Sequence, residues 1–246
     1  MLRKIILQLI VLSLLLSPFL LSQTTKGLRS QSSAHYQFFY EKRVSQGDIQ
    51  LLSKALESNF ELYRKKFNTG YFGKPRVYIV GSSQRLKNES HIAVYDDAAY
   101  NDGRLYVCLS CVKGESMQRS IPRIVARSVL GAIPACPSWL AEVYAIHAGS
   151  DYTLFGKPAQ GTETSFSDLS EEFGRTPSGS NEVYAVLAAT AKFIIDRYGE
   201  IKFESLFKQI RSGSSFEQAC ETSFGEKMNM IEREWAQFLR SQVKGG

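Results

Sequence analysis

Chemistry at a protein site most often rests on histidine, cysteine, serine or paired carboxylates, and in this chain they are sparse. His35, His91 and His147 are its three imidazoles. No two stand at the i, i+4 spacing that sets both rings on one helical face for a metal. A histidine metal site would have to be assembled from distant positions. Cys108-Leu-Ser-Cys111 is a lone CxxC. Zinc would call for a second such pair, and a thioredoxin-type redox site would have the motif open a helix, whereas Lys113-Gly114 intervenes here. Structural thiols or a disulfide are the expected role. Ser110 with Lys113 and Ser205 with Lys208 satisfy SxxK, but the KTG and SDN partners of an acyl-enzyme serine are missing. The sequence also lacks GxSxG, a Walker loop and GxGxxG, which removes the common nucleophile-elbow and nucleotide-binding classes.

The most informative stretch runs from Ile121 to Gly149. Arg119, Arg123 and Arg127 stand at i, i+4 and i+8, one stripe of a helix whose other side carries Ile121, Ile124, Val125 and Ser128. The ordinary meaning of such a stripe is a solvated face. Pro134 to Pro137 breaks the pattern, and Pro137-Ser-Trp-Leu-Ala-Glu-Val-Tyr-Ala145 resumes it with Glu142 in an apolar setting. His147 and Asp151 follow.

The elements that must position these groups change character along the chain. Ser33 to Tyr40 reads as an aromatic-rich strand, and from Gly47-Asp48 onward Ile49, Leu52, Ala55, Leu56, Phe60 and Tyr63 recur at helical spacing. Arg76 to Val80 reads as a second strand. Ile92 to Tyr95 and Arg104 to Leu109 read as a strand pair joined across Asp96-Asp97 and the turn signal Asn101-Asp102-Gly103. From Met117 the pattern is helical almost to the end, with a longer polar segment from Gly149 to Ser180. Stops are expected at Tyr198-Gly199 and Gly213, and Ser214 with Glu217 has capping-box spacing. A small, mostly antiparallel sheet followed by a helical half is an α+β fold.

Length and composition agree with one domain. The chain has 246 residues, 43% hydrophobic and 22% charged, which excludes a disordered tail, a fibre or a polytopic membrane protein. The net charge of +6 is spread out, with no block of like charges that would mark a nucleic-acid arm, so no nucleic-acid partner is expected. Met1-Leu-Arg-Lys4, the apolar run Ile5 to Leu21 and the polar exit from Ser22 read as a secretory signal, residues 1–22, with an uncleaved anchor over 5–21 as the rival. The expected location is therefore periplasmic or extracellular. Membrane contact is expected only through that segment. Export means an oxidising compartment, so Cys108, Cys111, Cys136 and Cys220 can form disulfides, in any of three full pairings.

The segment from Pro137 to Ala145 resembles the P-x-W-L-x-E-G-x-A signature of the peptidase MA-like family, thermolysin-type (gluzincin) zinc metallopeptidases. His35 to Tyr40, Arg76 to Val80, Tyr184-Ala185, Tyr198-Gly199, Gly213 to Ala219, Phe224-Gly225 and Trp235 are similar to further parts of the family pattern, so the resemblance spans most of 33–240. It implies a zincin-like architecture in which Glu142 is the third zinc ligand and the preceding helix carries HExxH. By the same analogy Tyr184 is an oxyanion donor over the cleft.

Where the resemblance puts that motif, this chain reads Arg123-Ile124-Val-Ala-Arg127. A guanidinium stays protonated and offers a metal no lone pair, and isoleucine cannot activate water. Val143 also replaces the signature glycine. The expectation is a degenerate, catalytically inactive peptidase homologue without a cofactor, in which Glu142 pairs with Arg123 or Arg127 where zinc would sit. It would act by binding a peptide, a protein or an anionic ligand in the old substrate cleft, or by scaffolding in the cell envelope. The alternative is an active metallopeptidase or hydrolase holding zinc through a non-standard set around Glu142 and His147.

Overall fold

The computed structural model describes residues 27–70, 73–92, 94–101, 103–112, 114–159, 165–175 and 180–244. The export segment expected over 1–22 and the turn residue Asp102 lie outside them. Among the described residues no helix is long and apolar enough to cross a membrane.

Five strands form one sheet: β1 (Arg29–Ser32), β2 (Gln37–Tyr40), β3 (Arg76–Val80), β4 (Ala98–Asn101) and β5 (Arg104–Cys108), in the order β1-β2-β3-β5-β4. The outer pairs, β1 with β2 and β4 with β5, are antiparallel, while β2, β3 and β5 run parallel. The sheet is thus mixed, where a mostly antiparallel one was expected. The cause is α1 (Gln46–Phe67), which carries the chain back along the sheet so that β3 enters parallel to β2. Ser45 caps α1 by accepting from the Asp48 N–H, and Asn68 ends it in the left-handed region at φ 51°. Its buried stripe, Ile49, Leu52, Leu56, Phe60, Tyr63 and Phe67, is the periodicity read from sequence.

Two further expectations are corrected here. Ile92, Val94 and Tyr95 lie in no strand, Ala93 is outside the described residues, and the partner of β5 is β4. Asp96 and Asp97 do not join the strands: Asp96 accepts from Ser83 and pairs with Lys87, both on the short helix α2 (Ser83–Ser90), while Asp97 turns inward. The strand falls instead on Ala98-Ala99-Tyr-Asn, whose alanines carry little strand propensity, and just before it the Asp97 carbonyl accepts from the Cys108 N–H at 2.8 Å.

The helical half comprises α3 (Glu115–Gly131), α4 (Ser138–Gly149), α5 (Phe166–Arg175), α6 (Asn181–Tyr198), α7 (Glu200–Arg211), α8 (Phe216–Phe224) and α9 (Met228–Lys244). α5 interrupts what reads as a polar loop. The capping box of α8 is Ser215 with Gln218, one residue beyond the expected Ser214 and Glu217. One main core joins sheet and helices: Phe38, Val77, Ile79, Leu105 and Val107 pack with α1 and with Ile124 of α3, Leu140 of α4, Leu187 of α6 and Trp235 of α9. A smaller core on the sheet's other face holds Tyr78, Tyr106 and Cys108 under Leu86 of α2. α3 and α4 pack side by side, and α3 also lies against β4. That arrangement brings the arginine stripe, Glu142 and the 95–98 segment together. The fold is α+β.

Candidate functional site

Arg123 and Arg127 leave α3 on the side that faces α4 and β4. The stripe expected to be solvated is buried from its second member on: Arg119 is exposed, but Arg123 is only 2% exposed and the Arg127 side chain 15%. Burial of a guanidinium is tolerated when it is paired and hydrogen-bonded, and both conditions hold here.

Arg127 Nε donates to Glu142 Oε2 at 3.0 Å. The Tyr95 hydroxyl donates to the other carboxylate oxygen, Glu142 Oε1, at 2.8 Å. Of the two pairings expected for Glu142, the structure has the one with Arg127. Arg123 takes other partners. Its Nη1 donates to Asp151 Oδ2 at 2.8 Å, and its Nη2 to Asp97 Oδ1 at 2.6 Å and to the Ala98 carbonyl at 2.8 Å. Its guanidinium carbon stands 3.6 Å over the Tyr95 ring centre, a cation–π contact. Ser120 reaches the second oxygen of Asp97, and the Ala98 N–H reaches the first at 2.6 Å. Two cations and three carboxylates, bridged by Tyr95, form one buried cluster.

The electrostatics follow from burial and pairing. Burial raises the Asp97 carboxyl, but the Arg123 charge and the hydrogen bonds from Ser120, Arg123 and Ala98 outweigh it and hold the group below its usual range. At Asp151 burial wins over the same arginine, and its carboxyl sits above the usual range. Burial, reinforced by the Glu142 charge, raises both Tyr95 and Tyr184 well above the ordinary phenol value, so both remain protonated donors at neutral pH.

Glycines at the ends of α3 and α4 make room for these side chains. At Gly131 a Cβ would stand 2.7 Å from Arg127 Nη1. At Gly149 it would stand 2.8 Å from Asp151 Oδ2, 3.1 Å from the Arg119 carbonyl and 3.2 Å from Arg123 Cβ. The Arg119 carbonyl is backbone and cannot swing away, so Gly149→Ala is expected to lower stability by about 1–3 kcal/mol through overpacking. Chemical denaturation would read this as a lower midpoint with an unchanged slope.

The site has little space for a ligand. The cavity bounded by Tyr95, Tyr100, Arg123, Ile124, Arg127, Glu142 and Tyr184 has a volume of about 10 Å³, on the order of one water. Tyr184 lines this cavity, with its ring edge-on to Tyr95 at 5.5 Å and packed on Phe155 at 5.0 Å.

Zinc requires lone-pair donors, and the positions that the resemblance assigns to its ligands hold two guanidiniums and one carboxylate. Both oxygens of that carboxylate already accept hydrogen bonds, from Arg127 and Tyr95. The residues present do not fit a zinc ion, and no chemistry is routed through one. The non-standard set around Glu142 and His147 does not form either. His147 contacts the Tyr152 hydroxyl through Nδ1 and Glu200 through Nε2 at 3.5 Å. His35 lies between Glu57 and Glu61 of α1, and His91 ends α2. Among the described residues no three His, Cys, Asp or Glu side chains converge in a way that could hold a metal ion.

Sequence reasoning missed Tyr95, Asp97, Ser120, Asp151 and Gly149. The available signal was the run of acidic and aromatic residues Tyr95-Asp96-Asp97, read as strand end and turn, and Asp151, read only as a neighbour of His147.

None of the curated proteins matches the chain. The family model of the Peptidase MA superfamily matches residues 122–241, from inside α3 to near the end of α9, and so takes in Arg123, Ile124, Arg127 and Glu142. Over residues 122–241 the chain is thus similar to the Peptidase MA superfamily, in agreement with the resemblance carried by Pro137 to Ala145.

Proposed function

We propose that this protein is an exported, non-catalytic member of the peptidase MA-like group that acts in the cell envelope by binding or scaffolding. The observation that carries the reading is the Arg127–Glu142 pair at 3.0 Å, standing where the family's zinc would be held. A metallopeptidase needs a metal to polarise the scissile carbonyl and a base to activate water. Glu142 is engaged by Arg127 and Tyr95, and Ile124 occupies the base position. The filled cavity leaves no room for a peptide between α3 and α4 at this point, so partner binding falls to the outer surface. Export rests on the charged start, apolar run and polar exit of residues 1–22.

Elemental analysis of the purified protein, with peptide-cleavage assays before and after adding zinc, tests the catalytic half of the reading. The expected result is no stoichiometric zinc and no cleavage. Zinc at one per chain that is lost in Glu142→Ala, or cleavage abolished by the same substitution, would overturn it. Fractionation of cells producing the tagged full chain tests the rest: recovery in the envelope or the medium is expected, and retention in the cytoplasm sinks the export claim.

A further inference from the structure

Cys108 and Cys111 are joined in a disulfide that closes the turn between β5 and α3, and Cys136 and Cys220 are free thiols. The two bonded cysteines differ in access: Cys108 is fully buried at 0% exposure, while Cys111 is half-buried at the surface. A bridge between residues three apart restricts the unfolded chain less than a longer loop would, so its worth as a global staple is small. Its surroundings suit reaction better than stapling. A crevice of about 310 Å³ opens beside the turn at the carboxyl ends of β2, β3 and β5, lined by Glu41, Arg43, Asp48, Gly81, Leu109 and Ser110. Leu109 and Ser110 are the two residues between the cysteines.

The geometry points to the Cys108–Cys111 bond as a thiol–disulfide exchange site, attacked by an external thiol at Cys111, the one of the two cysteines that reaches the surface. The incoming thiolate forms a bond to Cys111 Sγ, and the Cys111–Cys108 bond breaks. Its electron pair leaves on Cys108 Sγ, which takes a proton from water. The product is a mixed disulfide on Cys111. A second thiol resolves it, so that two thiols are oxidised to one external disulfide as Cys108 and Cys111 are reduced. Attack on Cys108 is blocked by its burial. Burial also disfavours a thiolate at Cys108, and the Ser110 hydroxyl, 3.3 Å from Cys108 Sγ, counters this by turning its hydrogen toward the sulfur as charge develops. Cys136 and Cys220 do not compete: burial pushes the Cys136 thiol up to about 12 and raises Cys220 as well. The inference is independent of the catalytic status of the Glu142 site.

The test uses the intact folded chain and glutathione as the thiol. The reaction runs at neutral pH without denaturant and is quenched with acid; the chain is then unfolded, its free thiols are labelled with N-ethylmaleimide, and adducts are located by peptide mass spectrometry. Glutathione is expected on Cys111 and maleimide on Cys108, with the reaction slowed several-fold in Ser110→Ala. Arg127→Gln, which destabilises the fold elsewhere, should react at the wild-type rate. A glutathione adduct on Cys108, reaction only when urea is added, or acceleration in Arg127→Gln matching its larger unfolded fraction would each show a structural bridge and overturn the proposal.

Discussion

Arg127→Ala is expected to lose about 3–5 kcal/mol of stability, the usual cost of removing one partner from a buried ion pair. The reason is what remains. Glu142 is 5% exposed, and without Arg127 it keeps only the Tyr95 hydroxyl as a donor to a charged oxygen. For a chain of this size the loss corresponds to a fall in melting temperature of about 6–20 °C. Packing loss alone would also destabilise, so the informative comparison is Arg127→Met combined with Glu142→Gln. That pair removes both charges, retains an acceptor for Tyr95 and roughly preserves volume. It should recover at least half of the single-variant loss, because the desolvation of both ions is removed together. A double variant as unstable as the sum of the two singles would mean that the residues do not interact, and the account of the site as an ionic replacement for a metal would fail.

Arg123→Met is expected to cost at least as much, about 5 kcal/mol, since it strands two carboxylates at once. This variant carries a pH signature. In the wild type the depressed Asp97 carboxyl contributes stability that is present above its unfolded pKa of about 3.9 and is lost as the pH falls through the lower folded value. Asp151, held above its usual range, acts in the opposite sense: its contribution is present at low pH and is lost as the pH rises through its folded value. The two act in adjoining windows, Asp97 below about pH 3.9 and Asp151 above it, so their joint contribution in the wild type is greatest near that pH. With Arg123 gone, Asp97 loses its cation and Asp151 keeps only the charge of Arg119, and both move up. The variant should therefore be penalised most at pH 8 and partly rescued near pH 5, where the stranded groups accept protons. Urea midpoints of variant and wild type across this range measure the effect. An equal penalty at both ends would place the role of Arg123 in packing over Tyr95.

The combination of both predictions separates two uses of the same fold. In the metal-binding use, helices equivalent to α3 and α4 are joined through one ion held by lone pairs. In this chain they are joined by guanidinium–carboxylate contacts that reach further, to Asp97 ahead of β4 and Asp151 after α4. Such a junction responds to pH and to single substitutions at five positions. It is expected to be indifferent to chelators, since a guanidinium offers a metal no lone pair.

Much of the scaffold was legible in the chain itself. The spacing of Ile49 through Phe67, the run Arg76–Val80 and the glycine after Tyr198 record local requirements, burial of one stripe or face and release of the backbone at a helix end, and local requirements leave periodic traces. The trace failed where a short element is stabilised by what it touches. α2 is held by Ser82 and by the Asp96 carboxylate, and β4 begins with two alanines. The sheet's parallel centre was illegible for a related reason: strand direction depends on how α1 returns over the sheet.

At the site, the sequence by itself determined the chemistry that is missing. Arg123, Ile124 and Arg127 cannot supply imidazole ligands or a base whatever the fold does with them, because that follows from side-chain type alone. It also determined that Glu142 would stand near an arginine, through the pattern around Trp139 and Leu140. Which arginine it took, and what the other one does, only the tertiary structure decided. An arginine stripe at i, i+4, i+8 has the same pattern on a solvated face as in a buried seam, and its partners Asp97 and Asp151 lie 26 and 28 positions away with no periodic relation to it. Those pairings are set by the packing of α4 and the 95–98 segment against α3, with Gly149 as the point of close approach. Once that packing excludes water, each guanidinium is confined to the carboxylates within its reach.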